Sequence, residues 1–147
     1  MALIRQIITH PKIYPWLGDD GMPPAAQFQP VDHPEIHYML VWDGSELLGL
    51  FEFRPKNSVT WEAHTCLLPN AWGARAVTAA REMARWTFDN TSCERIVTAV
   101  PEYNRLARKL AIAAGFSQWG RDPDSWRKKQ KLHAVLYFGL SKRECRP

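Results

Sequence analysis

Most of the chemical potential of this chain lies between Leu68 and Ala80. An apolar run, Thr65-Cys66-Leu67-Leu68, reads as a strand. It turns through Gly73 into an amphipathic segment that reads as a helix. A strand that passes through glycine into a helix N-terminus gathers backbone N–H groups that no helical carbonyl can satisfy. With the positive end of the helix dipole behind them, such groups form a nest for phosphate. A phosphate site at this point predicts a nucleotide-like cofactor. Other constellations offer less. His33 and His37 stand four apart, but Pro34 between them prevents one helix from presenting both, so no metal site is expected there. His10 and His133 have no partner in view. No cysteine has a histidine in nucleophile-motif context, and Cys66 reads as a small buried hydrophobe.

Composition narrows the function classes. The chain has 147 residues, 46% of them hydrophobic and 23% charged, which fits one domain over 1–147 with one core. No apolar run approaches the ~18 residues of a membrane span. Met1 to Ile8 is too short and interrupted for a signal peptide. Cys66, Cys93 and Cys145 are odd in number and widely spaced, which fits neither a disulfide framework nor a zinc site and suggests a reducing cytoplasm. The net charge is +4, and much of it sits in Arg127-Lys128-Lys129-Gln130-Lys131. That run reads as a solvated loop before it reads as a nucleic-acid contact. Seven tryptophans are expected mostly in the core or in pocket walls, Trp119 in the core among them.

The elements that position the glycine turn follow from periodicity. Ala2–Thr9 reads as a strand, Pro11–Leu17 as a short helix, and Gly18–Pro34 as an irregular connection. Ile36–Trp42 and Glu46–Phe53 read as strands joined by an Asp43-Gly44 hairpin turn, with Val59–Leu68 as the next strand. Ala71–Phe88 reads as a helix through Val77, Ala80, Ala84 and Phe88. Arg95–Val100 reads as a strand, and Glu102–Ala114 as a helix stopped by Gly115. Phe116–Gly120 and His133–Leu140 are two last strands around a polar loop containing Pro123. The outcome is an α+β (mixed α/β) fold: a central, mostly antiparallel sheet of about seven strands flanked by helices.

This order resembles the GNAT superfamily of acetyl-CoA-dependent N-acetyltransferases, most nearly the subgroup that acetylates ribosomal-protein N-termini. That subgroup's cofactor segment reads roughly Pro-x-x-Arg-Gly-Lys-Gly-x-Ala-Thr-x-Ala, and Pro69, Gly73, Thr78 and Ala80 fall in step with it. Its second segment reads roughly Asn-x-x-Ala, then seven residues, then Gly-Phe. Asn104, Ala107, Gly115 and Phe116 keep that spacing. Residues 36–120 carry the match. The chain is also similar in outline to small GNAT-like proteins encoded by bacteriophages.

The resemblance implies acetyl-CoA as cofactor. Cys66, Leu67 and Leu68 would lie beside the pantetheine arm in a gap between two splayed strands. The N–H groups of Gly73, Ala74, Arg75, Ala76 and Val77 would hold the pyrophosphate next to Trp72, with Asn104 facing the arm and Arg108 reaching a phosphate or the adenosine. Acetyl transfer needs a neutral amine, hence a base, and an N–H donor for the thioester oxygen, expected from Leu67 or Leu68. Glu62 and His64 alternate onto the face of Cys66 and are the candidate catalytic residues, in a cleft or on a solvent face, with Glu52 a third candidate. The implied partner is an amine-bearing acceptor, protein or small molecule. A homodimer through an edge strand such as His133–Leu140 is a further expectation, and nucleic acid ranks last. Three positions depart from the family pattern. Trp72 replaces a polar phosphate partner, Arg75 stands where glycine or alanine is usual, and Ala111 takes the place of a thiolate-protonating tyrosine. These departures define the rival expectation, a catalytically inactive GNAT-like virion or host-interaction protein.

Overall fold

A computed structural model describes residues 1–145. Its strands are β1 (His37–Asp43), β2 (Glu46–Pro55), β3 (Thr60–Leu67), β4 (Arg95–Pro101), β5 (Ser117–Lys128) and β6 (Lys131–Ser141). Its α-helices are α1 (Ala2–Ile8), α2 (Ala74–Asn90) and α3 (Arg105–Ala113). One six-stranded sheet runs in the order β1-β2-β3-β4-β6-β5. Every pairing is antiparallel except β3 with β4. The α+β class and the mostly antiparallel sheet are as the sequence predicts, but the strand count is six.

The missing strand is the first segment. Ala2–Thr9 is not a strand: Ala2–Ile8 forms α1 and buries Ile7 and Ile8. The β-branched isoleucines suggest a strand by propensity, yet Leu3, Ile4, Ile7 and Ile8 recur at helical spacing, and that period decides. This helix packs Ile7 and Ile8 on Leu50 and Cys66, together with Ile13. Arg5 then ties down the irregular connection: its Nε donates to Phe28 O at 2.9 Å and its Nη2 to Ala25 O and Ala26 O, each at 3.1 Å.

On the other face α2 and α3 cover the main core, built on Phe51, Phe53, Phe88, Ile96 and Phe138. α2 meets it through Ala76, Ala79, Ala80, Met83, Ala84, Thr87 and Phe88, so small residues bring the helix close to the sheet. α3 ends as expected at Gly115 (φ +99°). There Phe116 N donates to Ala111 O at 2.9 Å and Gly115 N to Ile112 O at 3.0 Å, closing the helix end through a left-handed residue.

Several expectations about the late chain are corrected. Pro123 does not sit in a separating loop, because β5 continues to Lys128 with irregular register between Asp122 and Trp126. The run Arg127–Lys131 is a hairpin end. Lys129 (φ 50°) and Gln130 (φ 65°) are both left-handed, the geometry that matches a two-residue turn to strand twist. Asp20 stabilises it, accepting from Lys129 N at 2.8 Å and Gln130 N at 2.9 Å. His133–Leu140 is not an edge, since β6 lies between β4 and β5 and the sheet edges are β1 and β5. The tryptophans are mostly pocket walls and not core: Trp42, Trp61 and Trp86 line one cavity and Trp16 another. Trp16, Trp42, Trp72, Trp86 and Trp119 are all exposed. Trp119 is the extra residue where Gln118 and Gly120 face consecutive β6 positions, and it leans on Tyr137 at 5.2 Å.

One glycine fixes how β2 and β3 meet. Gly49 has φ +135°, and a Cβ there would stand 2.3 Å from Cys66 O and 2.7 Å from Leu67 Cα. Beside it Val41 pairs with Gly49 and Trp42 with Leu47, so Leu48 is a bulge that bends β2. Gly49→Ala combines a left-handed strain with a backbone clash. It is expected to lower unfolding free energy by about 3 kcal/mol in urea titration.

Candidate active site

β3 and β4 pair only through Thr60–Glu62 against Arg95–Val97, and their C-terminal halves separate. A parallel pair that parts this way leaves backbone N–H and C=O groups without a strand partner. The Thr98 hydroxyl bridges the start of the opening, donating to Ala63 O at 2.9 Å. Cys66 pairs with Leu50 and Leu67 with Gly49. Leu68 N donates to Leu48 O at 2.8 Å, so this N–H is already engaged within the sheet. Antiparallel alternation turns the Leu67 N–H toward the gap instead. The Leu67 carbonyl accepts from Trp72 Nε1 at 2.9 Å, which draws the indole across the rim.

The glycine turn opens α2 with backbone N–H groups that no side chain caps. A short 3-10 turn, Pro69–Ala71, leads to Gly73 (φ 98°, ψ −137°) as the N-cap of α2, and no side chain caps the helix. Ala76 N and Val77 N donate back to Gly73 O at 3.1 and 3.3 Å. Gly73, Ala74 and Arg75 N–H therefore begin the helix ahead of its own acceptors. Apart from its chain neighbours, no atom lies within 4 Å of where a Cβ on Gly73 would stand.

The Arg75 side chain does not crowd it. Its guanidinium turns to the β1–β2 hairpin, where Nη2 pairs with Asp43 Oδ2 at 3.1 Å and with Glu46 Oε2, and Nη1 donates to Asn70 O at 3.1 Å. Glu46 also accepts from Asn70 Nδ2 at 3.1 Å. Hydrogen bonding to Glu46 raises the Arg75 pKa, and the same contact lowers that of Glu46. The sequence alone shows an arginine in the cofactor loop. Its partners are on a distant hairpin and are visible only in the fold.

Asn104 and Arg108 hold local structure. Asn104 caps α3, its Oδ1 accepting from Ala107 N at 3.2 Å, as N-cap asparagines do. Arg108 Nη1 folds back to Glu102 O at 3.0 Å. Ala111 is buried in the core.

Glu62, His64 and Cys66 share the α1 face of β3. His64 Nε2 lies 2.7 Å from Glu62 Oε1, and Lys56 Nζ is 3.4 Å from Glu62 Oε2. The His64 bond, ahead of the lysine, holds the Glu62 carboxyl down to about 2. Glu52 stands opposite His64 in register and pairs with Arg54. Tyr38 stands opposite Glu52, with its hydroxyl donating to Val31 O at 2.7 Å. Burial pushes the Cys66 thiol up to about 12, so it stays protonated and inert, as a buried hydrophobe should. Because Glu62 titrates below its ordinary 4.5 in the fold, its pairing contributes stability above that pH and loses it as pH falls toward 2. Glu62→Gln is expected to remove about 1–2 kcal/mol of that acid-side decline, the exposure of the pair keeping the figure small. Urea melts between about pH 6 and pH 3 measure it.

Trp16 and Trp126, which the sequence offers as cleft lining, join Tyr103 and His133, which it does not single out, in an aromatic and basic group at the other side of the opening. Tyr103 follows β4 and makes an edge contact with His133 (4.7 Å) and a tilted one with Trp16 (6.2 Å). Its hydroxyl accepts from Trp126 Nε1 at 3.0 Å. Among the described residues no group of acidic, histidine and cysteine side chains is placed to hold a metal ion, and no helix is long and apolar enough to cross a membrane.

Comparison with known proteins places this architecture. A structure of spermidine N-acetyltransferase from Vibrio cholerae in complex with CoA and spermine superposes with a TM-score of 0.81 at 16% identity, covering 98% of this chain and 90% of that one. A mutant of the Vibrio cholerae enzyme gives 0.69 at 19% identity, over 76% of this chain and 69% of that one. A probable acetyltransferase gives 0.63 at 21%, over 76% and 63%. The fold is that of the GNAT acetyltransferases. Within it, residues 25–144 match the family described as "Protein of unknown function (DUF2824)", and the chain belongs to that family. No curated protein matches the sequence.

Proposed function

We propose that this chain is an acetyl-CoA-dependent N-acetyltransferase acting on a primary amine, either a protein N-terminus or a small molecule, in a bacterial or phage-infected cytoplasm. The observation that carries the reading is the uncapped Gly73 turn beside the β3–β4 gap, with the Arg75 guanidinium held away by Asp43 and Glu46. The donor set fits the cofactor. Gly73, Ala74 and Arg75 N–H suit a pyrophosphate, and the edge of β3 beyond Ala63, which no longer pairs with β4, suits an extended amide-bearing arm. Acetyl-CoA, when bound, supplies a thioester whose acetyl carbon forms a bond to the amine nitrogen as its C–S bond breaks.

The residues of the chain then have separate tasks. His64 takes the proton that the acceptor ammonium must lose, and the Glu62 anion orients the imidazole through its bond to Nε2. Leu67 N–H faces the gap and serves developing negative charge on oxygen. Leu68 N–H, bonded to Leu48 O, does not. Calorimetric titration with acetyl-CoA, with CoA as control, tests the reading. A micromolar dissociation constant is expected, and no heat at millimolar cofactor from folded protein overturns it.

A second reading has one observation in its favour. The indole of Trp72 bonds Leu67 O and stands at the rim the arm would cross. A GNAT-like fold closed there would be catalytically inactive and would serve as a phage virion or host-interaction component. Failure of the calorimetric test selects this reading.

A further inference from the structure

A cavity of about 410 Å³ lies between the turn at Pro15-Trp16 and the β5–β6 hairpin. Its neighbours place it by the gap. Tyr14 and Leu17 pack with Cys66 and Leu68 of the β3 end, while Tyr103 follows β4. One wall is aromatic, made of Trp16, Tyr103 and His133. The other is cationic, made of Lys128, Lys129 and Lys131.

No carboxylate lines the cavity, although Asp19 and Asp20 lie near Tyr103 and offset part of the positive charge from outside the lining. Lys128 Nζ donates to Pro15 O and, at 2.8 Å, to Gly18 O, which fixes its position but leaves its charge. Among the described residues no carboxylate forms an ion pair with Lys128, Lys129 or Lys131. The nearby Asp20 directs both carboxylate oxygens to the hairpin N–H groups of Lys129 and Gln130, and Asp19 accepts from Gly21 N. With the three ammonium groups in the lining and the two aspartates outside it, the positive charge faces the aromatic slot, which favours a flat anion over a polyamine.

We infer that this cavity binds a negatively charged, flat part of the acceptor, so that the amine acetylated by this chain belongs to a carboxylate-bearing, amino-acid-like molecule and not to a polyamine. The inference rests on the acetyltransferase reading, and its test separates the two. Trp16 lines the cavity and the Trp126 indole N–H donates to the hydroxyl of its lining residue Tyr103, so both indole N–H resonances report occupancy in ¹⁵N-labelled, CoA-loaded protein. Tyrosine, tyramine and spermidine are the probes, the first two differing in the carboxylate. Tyrosine is expected to shift both resonances with a dissociation constant about tenfold below that of tyramine, and spermidine to leave them unmoved. Lys129→Glu combined with Lys131→Glu should reverse the order of tyrosine and tyramine.

Equal or tighter binding of tyramine or spermidine overturns the inference, as does silence from all three probes, while leaving cofactor binding standing. The cofactor's own phosphate is the alternative source of anion. In the unloaded protein, a shift of these indoles by CoA that dephospho-CoA fails to reproduce would assign the cavity to the cofactor and overturn the acceptor assignment. Loss of CoA binding itself is read independently by calorimetry and counts against the acetyltransferase reading.

Discussion

Gly73→Val is expected to weaken acetyl-CoA binding at least tenfold while leaving the protein folded. The residue sits at φ 98°, a backbone region that a β-branched side chain enters only with strain of about 1–3 kcal/mol. Relaxation of that strain rotates the Gly73 and Ala74 peptide planes, and with them the N–H groups that open the nest. Apart from its chain neighbours, no atom lies within 4 Å of the Cβ position, so the added methyl groups meet solvent and not the core. The effect therefore falls on backbone direction and on access by an anion, not on packing. Calorimetry should show at least a tenfold rise in dissociation constant, about 1.4 kcal/mol or more. The urea midpoint should fall by no more than the strain. Gly73→Ala, with less bulk at the same φ, should lie between. Unchanged affinity in Gly73→Val would mean that the phosphates are held elsewhere, and Arg108 released from Glu102 O would be the next place to look.

What sequence conveys about this site divides along physical lines. The Gly73 turn and the Gly115 cap were legible because each marks a backbone angle that few other residues adopt. The Asp43-Gly44 hairpin and the α2 face were legible because local chemistry and period agree with the tertiary outcome. α1 was misread where propensity and period conflict, and burial of Ile7 and Ile8 against Leu50 and Cys66 settled the conflict for the helix. The fate of Arg75 is not a local property at all. Its partners Asp43 and Glu46 belong to a hairpin that only the β1–β2–β3 pairing brings to the start of α2. The aromatic and basic cavity is the extreme case. Trp16, Tyr103 and His133 come from three distant segments, and no spacing in the chain announces that their rings touch.

His64→Ala is expected to lower kcat by about 10²–10⁴-fold, the range over which a positioned general base acts. The imidazole is within 2.7 Å of Glu62 Oε1 through Nε2, which leaves Nδ1 as the nitrogen free to take a proton. Since the Glu62 carboxyl is held down to about 2, it remains an anion through any pH at which an amine acceptor reacts. It therefore remains the acceptor for His64 Nε2 over that range. Two residues acting as one unit give non-additive losses. Glu62→Gln alone should reduce kcat less than His64→Ala, and the double variant should be no slower than His64→Ala. Affinity for acetyl-CoA should stay within about twofold in all three, because β3 presents these side chains on the α1 face while the nest lies at the start of α2. A fall in cofactor affinity parallel to kcat would point to a distorted β3. Full activity in His64→Ala would transfer the role to Glu52, which stands opposite His64 in register and has the same face in common. Its pairing with Arg54 draws that carboxylate along β2, whereas the His64 bond to Glu62 is made through Nε2 and leaves Nδ1 clear.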